Sequence, residues 1–168
     1  MPSQVVFDVN QAGYQAAFFP AFGLVFFLIG AILATINHFR KKRASFAIKN
    51  TADRPSLYLP WLFMGFALLW SVGAFSSTYG DYRHLRDALN QGHCQVIEGP
   101  IEHFHAGSGE RGDADDSFDI GGFRFSYSDS SVRAGFSQTQ ARRGPLREGL
   151  RVRIHAFQGE IARLEILP

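Results

Sequence analysis

His103 and His105 stand two residues apart in CQVIEGPIEHFH, so a β-strand there would project both imidazoles from one face. Two imidazoles on one face hold a metal ion when a third and a fourth ligand converge on them. His93, Cys94 and His155 could contribute, as could Asp113, Asp115 and Asp116 in the loop that follows. Neither C-x-x-C nor H-E-x-x-H occurs, and GSGERGDADD (107–116) lacks the D-x-D-x-D-G order and terminal Glu of a calcium loop. The expectation is therefore no metal and no cofactor, with His103 and His105 at a solvated strand end. Ser126, Ser128, Ser130 and Ser131 lie near no G-x-S-x-G elbow, so nothing specifies a hydrolase and no catalytic residue is assigned.

A second chemistry is anion recognition. Arg142, Arg143, Arg147, Arg151 and Arg153 cluster in sequence, and guanidinium forks suit lipid phosphate, lipopolysaccharide or an acidic protein. Residues 80–168 carry 11 Arg and 13 acidic residues, however, so the region as a whole is net acidic. The acidic balance argues against nucleic acid as a partner.

The elements that must position these residues begin with two uncharged apolar runs. Ala16–Ile36 has 21 residues and Leu57–Tyr79 has 23. At about 1.5 Å rise per residue either is long enough to cross a hydrocarbon core roughly 30 Å thick. Both are read as transmembrane helices of a hairpin spanning residues 1–79. A cleaved leader would need basic residues ahead of the first run, and residues 1–15 hold none. Six of the 17 Lys and Arg lie in residues 37–56, which reads as a basic loop. Arg40, Lys41, Lys42 and Arg43 head that loop and would meet the membrane surface. By the positive-inside rule the loop is cytoplasmic and both termini are extracytoplasmic, periplasmic in a Gram-negative source. The placement is a bacterial inner (plasma) membrane, with the lipid bilayer as a first partner.

Gly23, Gly30 and Ala34 share one face of the first helix, and Ala67, Ser71, Ala74 and Gly73 give the second a small-residue face. Such faces allow close packing, between the two helices or in a homo-oligomer. Neither run contains an ionisable side chain able to relay ions, which argues against a transporter acting alone.

Tyr82, Leu85, Ala88 and Leu89 recur at helical spacing in 80–92, a juxtamembrane helix with Gly92 as its C-cap. From Cys94 the period changes to that of strands. In SFDIGGFRFS, Gly121-Gly122 predicts a type I′ turn pairing Ile120 with Phe123, Phe118 with Phe125 and Asp119 with Arg124. In LRVRIHAFQGEIARLEIL, a three-residue loop Gln158-Gly159-Glu160 sets Ile154 opposite Leu164, Val152 opposite Ile166 and Arg153 opposite Glu165. With a strand over 94–105 bent at Gly99-Pro100, the sequence predicts five strands: 94–105, 117–120, 123–128, 150–157 and 161–167. The predicted core is Val96, Ile101, Phe118, Ile120, Phe123, Phe125, Val152, Ile154, Leu164 and Ile166. The fold class expected is a membrane α-helical hairpin plus an all-β domain (93–168), a five-stranded OB-like or SH3-like small barrel. Cys94, the single cysteine, reads as a buried free thiol, with a disulfide-linked dimer as the alternative.

The runs EGPIEHF, SFDIGGFRFSYSD and GPLREGLRVRIHAFQGEIARLEIL resemble the C-terminal domain of uncharacterised bacterial inner-membrane proteins with two helices and a small external β-barrel. The pattern G-x-x-V-x-I-x-x-x-x-G-x-I-x-x-L is also similar to the terminal barrel strands of NfeD-like membrane proteins. The resemblance implies a fold and an envelope location, and no catalytic residues. Three function classes follow. The first is a membrane-anchored interaction module, an accessory or scaffold subunit docking an envelope protein partner. The second is an envelope lipid- or glycan-binding barrel with an Arg-rich face. The third is a metal-assisted enzyme around His103 and His105.

Overall fold

The computed structural model describes residues 3–44, 59–107 and 115–168. In chain order the elements are β1 (Gln4–Asp8), α1 (Val9–Ala12), α2 (Phe18–Ala44), α3 (Leu59–Asn90), β2 (Gln95–Pro100), β3 (Glu102–His105), β4 (Asp116–Ile120), β5 (Phe123–Tyr127), β6 (Arg151–Phe157) and β7 (Glu160–Ile166). They form two compact units, Ala17–Ser77 and the combination of Met1–Ala16 with Thr78–Pro168.

In the unit Ala17–Ser77, α2 and α3 are long and apolar enough to cross a membrane. Gly23 and Gly30 are buried, and a Cβ on Gly23 would collide with the Ser71 side chain. A Cβ on Gly30 would lie 2.6 Å from Met64 Cγ. The glycine face of α2 thus packs on α3, where Ser71 Oγ donates back to the Ala67 carbonyl at 2.8 Å. Gly73, placed on that face from sequence, is exposed instead. The helix α2 also runs on through Ala44, so residues 37–44 are helical and not loop. Lys and Arg are good helix formers, and cations favour a helix C-terminus. The side chains of Arg40, Lys41, Lys42 and Arg43, and the rest of the basic segment from residue 45 to 58, lie outside the described residues.

The expected second span and juxtamembrane helix are one element, α3, with no break at Tyr79-Gly80. It ends as predicted at Gly92, whose φ of 71° is left-handed. His93 N–H bonds the Ala88 carbonyl and Gly92 N–H bonds that of Leu89, closing a Schellman motif.

The β unit has seven strands among the described residues, in two sheets ordered β1-β7-β6-β2 and β3-β4-β5. The predicted strand 94–105 is split at Ile101, so β2 and β3 belong to different sheets and the five strands do not close a barrel. The break falls directly after Pro100, the last residue of β2, which still pairs with Arg151. The seventh strand, β1, pairs antiparallel with β7 from the far end of the chain, Asp8 opposite Arg163.

Between the sheets Phe118, Ile120, Val152, Ile154 and Leu164 are fully buried, with Ile97, Ile101, Phe125, Tyr127, Phe136, Leu146 and Ile161 completing the core. Of the predicted core residues, Ile166 is only partly buried against this cluster, and Val96 and Phe123 lie outside it. Val96 is 55% exposed because the alternation of β2 turns Ile97 inward in its place, and Phe123 is 45% exposed on β5, which among the described residues pairs with β4 alone. The outer face of the larger sheet packs on Tyr82 and Leu85 of α3 and Val9 of α1, around the fully buried Ala162.

Candidate functional site

The β4–β5 hairpin follows the predicted register, with φ of 56° at Gly121 and 83° at Gly122. The β6–β7 hairpin keeps Ile154 opposite Leu164, Val152 opposite Ile166 and Arg153 opposite Glu165. Its turn is tighter than predicted. Phe157 pairs with Glu160 around Gln158 and Gly159, both left-handed, and the extra residue is absorbed as a bulge at Ala162. The bulge lets Ile161 and Leu164 face the core while Ala162 faces the helix.

This turn forms one wall of a cleft of about 310 Å³ in the gap where the two sheets fail to close. The opposite wall is Phe125–Tyr127 of β5 and the residues just after it, and the segment Gly135–Ser137 forms the floor. Phe136 N–H donates to the Ile161 carbonyl at 3.0 Å and fixes that floor. Serines 126, 128, 130, 131 and 137 line the cleft with Asp115, Arg133 and Glu160. Ser126 Oγ approaches Asp115 Oδ2 at 3.5 Å, and the Ser128 and Ser130 hydroxyls lie 3.0 Å apart. Burial pushes the Glu160 carboxyl above its ordinary pKa, and the Arg133 charge and a Gly135 N–H offset this only in part.

Two carboxylates, the buried Asp116 and the half-buried Asp129, pin the connection 129–149 that completes the cleft. Asp116 accepts from Gln140 N–H at 2.6 Å, Tyr127 Oη at 3.3 Å and Gly107 N–H at 2.9 Å. Asp129 accepts from both the N–H and the hydroxyl of Thr139. The cleft went unseen in the sequence because its walls come from three separate stretches. Its one local signal was the serine-rich run YSDSSVRAGFS.

The sequence-derived candidates lie elsewhere. Arg142 pairs with Asp129 at 3.1 Å. Arg153 pairs with Glu98 at 2.9 Å and reaches Glu165 at 3.6 Å, starting a chain of charges across the sheet. Arg163 continues it, 2.8 Å from Glu165 in an ionic contact outside hydrogen-bonding geometry and 3.8 Å from Asp8. Arg143, Arg147 and Arg151 are exposed. Of the five arginines, Arg142 and Arg153 thus have acidic partners that are distant in sequence.

His103 and His105 do not alternate simply. His103 has a left-handed φ of 51°, and between Glu102 and His105 two residues of β3 oppose one of β4. His103 Nδ1 meets Asp119 Oδ2 at 3.1 Å, so Asp119 has an imidazole partner as well as its cross-strand neighbour Arg124. Among the described residues no three His, Cys, Asp or Glu side chains converge to hold a metal ion. Asp113 lies outside them. Cys94 is half-buried at the edge of the α3-facing cluster, and burial raises its thiol pKa.

No protein-family model, curated protein or solved structure matches this chain.

Proposed function

We propose that this chain is a membrane-anchored interaction module of the bacterial cell envelope, an accessory or scaffold subunit whose β unit faces away from the cytoplasm. The observation that carries the reading is the pairing of β1 with β7. One strand precedes α2 and the other follows α3, so two membrane crossings return the chain to the side it left. The uncovered apolar side chains of α2 and α3, including Leu28, Ile32, Leu62 and Leu69, support lipid as their solvent. The positive-inside rule, applied to Arg40–Arg43, Lys49 and Arg54, supports a cytoplasmic connection between the helices. The strand sequence β5-β4-β3, the bend into β2, then β6-β7, supports an open OB-like arrangement with its seam at the cleft. It also fits the resemblance to small external barrels.

Alkaline phosphatase fused after Pro168 tests the orientation, with an active enzyme expected and an inactive one rejecting it. Crosslinked purification from native membranes in mild detergent tests the module. A stoichiometric protein partner is expected, and an enriched lipid or glycan with no protein would reject the reading.

A further inference from the structure

The geometry points to strand addition: we propose that the outer edge of β5 takes an extended peptide segment of a partner protein, with a basic side chain of that segment seated between Asp115 and Glu160. This deepens the interaction-module reading and rests on it. In a two-residue hairpin the pairs Ile120–Phe123, Phe118–Phe125 and Asp116–Tyr127 exchange the ladder bonds. The N–H and C=O groups of Arg124 and Ser126 therefore point away from β4. Among the described residues β5 pairs with β4 alone.

The other edges carry protection. The register of β1 shifts between Val5 and Phe7, and β2 ends at Pro100. At β3 the edge is broken by left-handed His103, Glu148 Oε2 caps the Phe104 N–H at 2.6 Å, and the Ile101 carbonyl accepts from Gly149 N–H. Strand β5 has no bulge, proline or lysine, its one charge, Arg124, stands opposite Asp119 of β4, and its Phe123 is exposed. Bare edges of this kind are templates for a further strand.

The cleft runs along this edge and decides the chemistry of the added strand. Its lining holds two carboxylates, Asp115 and Glu160, and one guanidinium, Arg133. Glu160 is half-buried and its ionised form is under-compensated, so a lysine or arginine of the ligand supplies the missing charge.

The test uses the full chain in detergent micelles and a short acetylated peptide alternating valine and threonine around one central lysine. Binding is expected to slow amide exchange at Arg124 and Ser126, and to leave Phe123, Phe125 and Tyr127, already bonded to β4, unchanged. Glu160→Gln should weaken the lysine peptide about fivefold while the hairpin stays folded. A central glutamate in place of lysine should weaken it at least as much. Binding that leaves the Arg124 and Ser126 amides fast overturns the proposal, as does no binding. Slow exchange at those amides without peptide, deepening with protein concentration, assigns the edge to a second copy of the chain and also overturns it. A partner captured from membranes alongside a peptide that fails here would reject this edge and leave the module reading standing.

Discussion

The two units of this chain bury opposite kinds of residue. In the β unit the inside is large and apolar: Phe118, Ile101, Ile120, Leu146, Ile154 and Leu164 are almost wholly enclosed. In the unit Ala17–Ser77 the inside is small, with Gly23, Gly30, Ala67 and Ser71 buried, while Leu69 is 76% exposed. A water-driven core gathers large side chains because burying them is what stabilises it. Two helices in lipid gain nothing by hiding leucine and associate through close backbone approach instead. On the membrane-anchored reading proposed above, one short chain obeys two solvents, and each substitution is judged by the solvent its side chain meets.

Truncating an apolar side chain in each unit gives the largest contrast. Phe118→Ala should lower stability by about 3–5 kcal/mol, since a fully enclosed ring leaves a cavity. Leu69→Ala should stay within about 0.5 kcal/mol, because detergent or lipid already solvates that side chain. Denaturant titration of both variants in micelles measures this, and equal losses would break the comparison. Adding volume reverses the sensitivity. Gly23→Ile drives a side chain into Ser71 and toward Trp70, at an expected cost of about 1–3 kcal/mol. Gly73→Ala meets nothing within 4 Å and should be neutral or stabilising by up to about 1 kcal/mol. Thermal melts of the two variants should diverge, and parallel behaviour would mean the α2–α3 contact does not depend on the Gly23 face.

Glycine in the two units also differs in kind, and here the sequence was most readable. Gly23 keeps an ordinary helical backbone and is required for space, whereas Gly122 has open space and is required for its φ of 83°. Gly122→Val should cost about 1–2 kcal/mol, and Gly122→Asn should recover much of that because asparagine tolerates the left-handed region. No such rescue is expected for Gly23→Asn, and a urea titration of the pairs separates the two causes. Local rules of this type placed the β4–β5 turn, the Gly92 cap and the register of β6 with β7. They could not place β1, since QVVFD has no local turn and its partner β7 lies at the other end of the chain. Nor could they locate the bulge at Ala162, which answers to Val9, Tyr82 and Leu85 and not to the turn. The acidic partners of Arg142 and Arg153 were hidden for the same reason, because Asp129, Glu98 and Glu165 are neighbours only in space.

The smallest contrast is with pH, and the two groups that carry it, Glu160 and His155, lie in the β unit. Between Phe18 and Asn37, and between Leu59 and Thr78, the helices contain no titratable side chain. Glu160 is half-buried, and burial raises its pKa above the ordinary carboxylate value. The folded state therefore holds that proton more tightly than the unfolded chain does, and ionisation subtracts stability as pH rises through the raised value. Glu160→Gln removes the subtraction. The variant should melt above the wild type at neutral pH, by under about 1 kcal/mol after solvent screening, and the gap should close as pH falls below the ordinary carboxylate range. His155 acts at the other end of the scale. Burial and then the Arg163 charge lower its pKa, so both proteins should lose stability together as pH falls through the range where a free imidazole protonates. Melts of wild type and Glu160→Gln from about pH 4 to pH 8 distinguish the two groups. Parallel curves would mean that Glu160 is fully solvated at the cleft, and the charge argument for a basic ligand there would go with it.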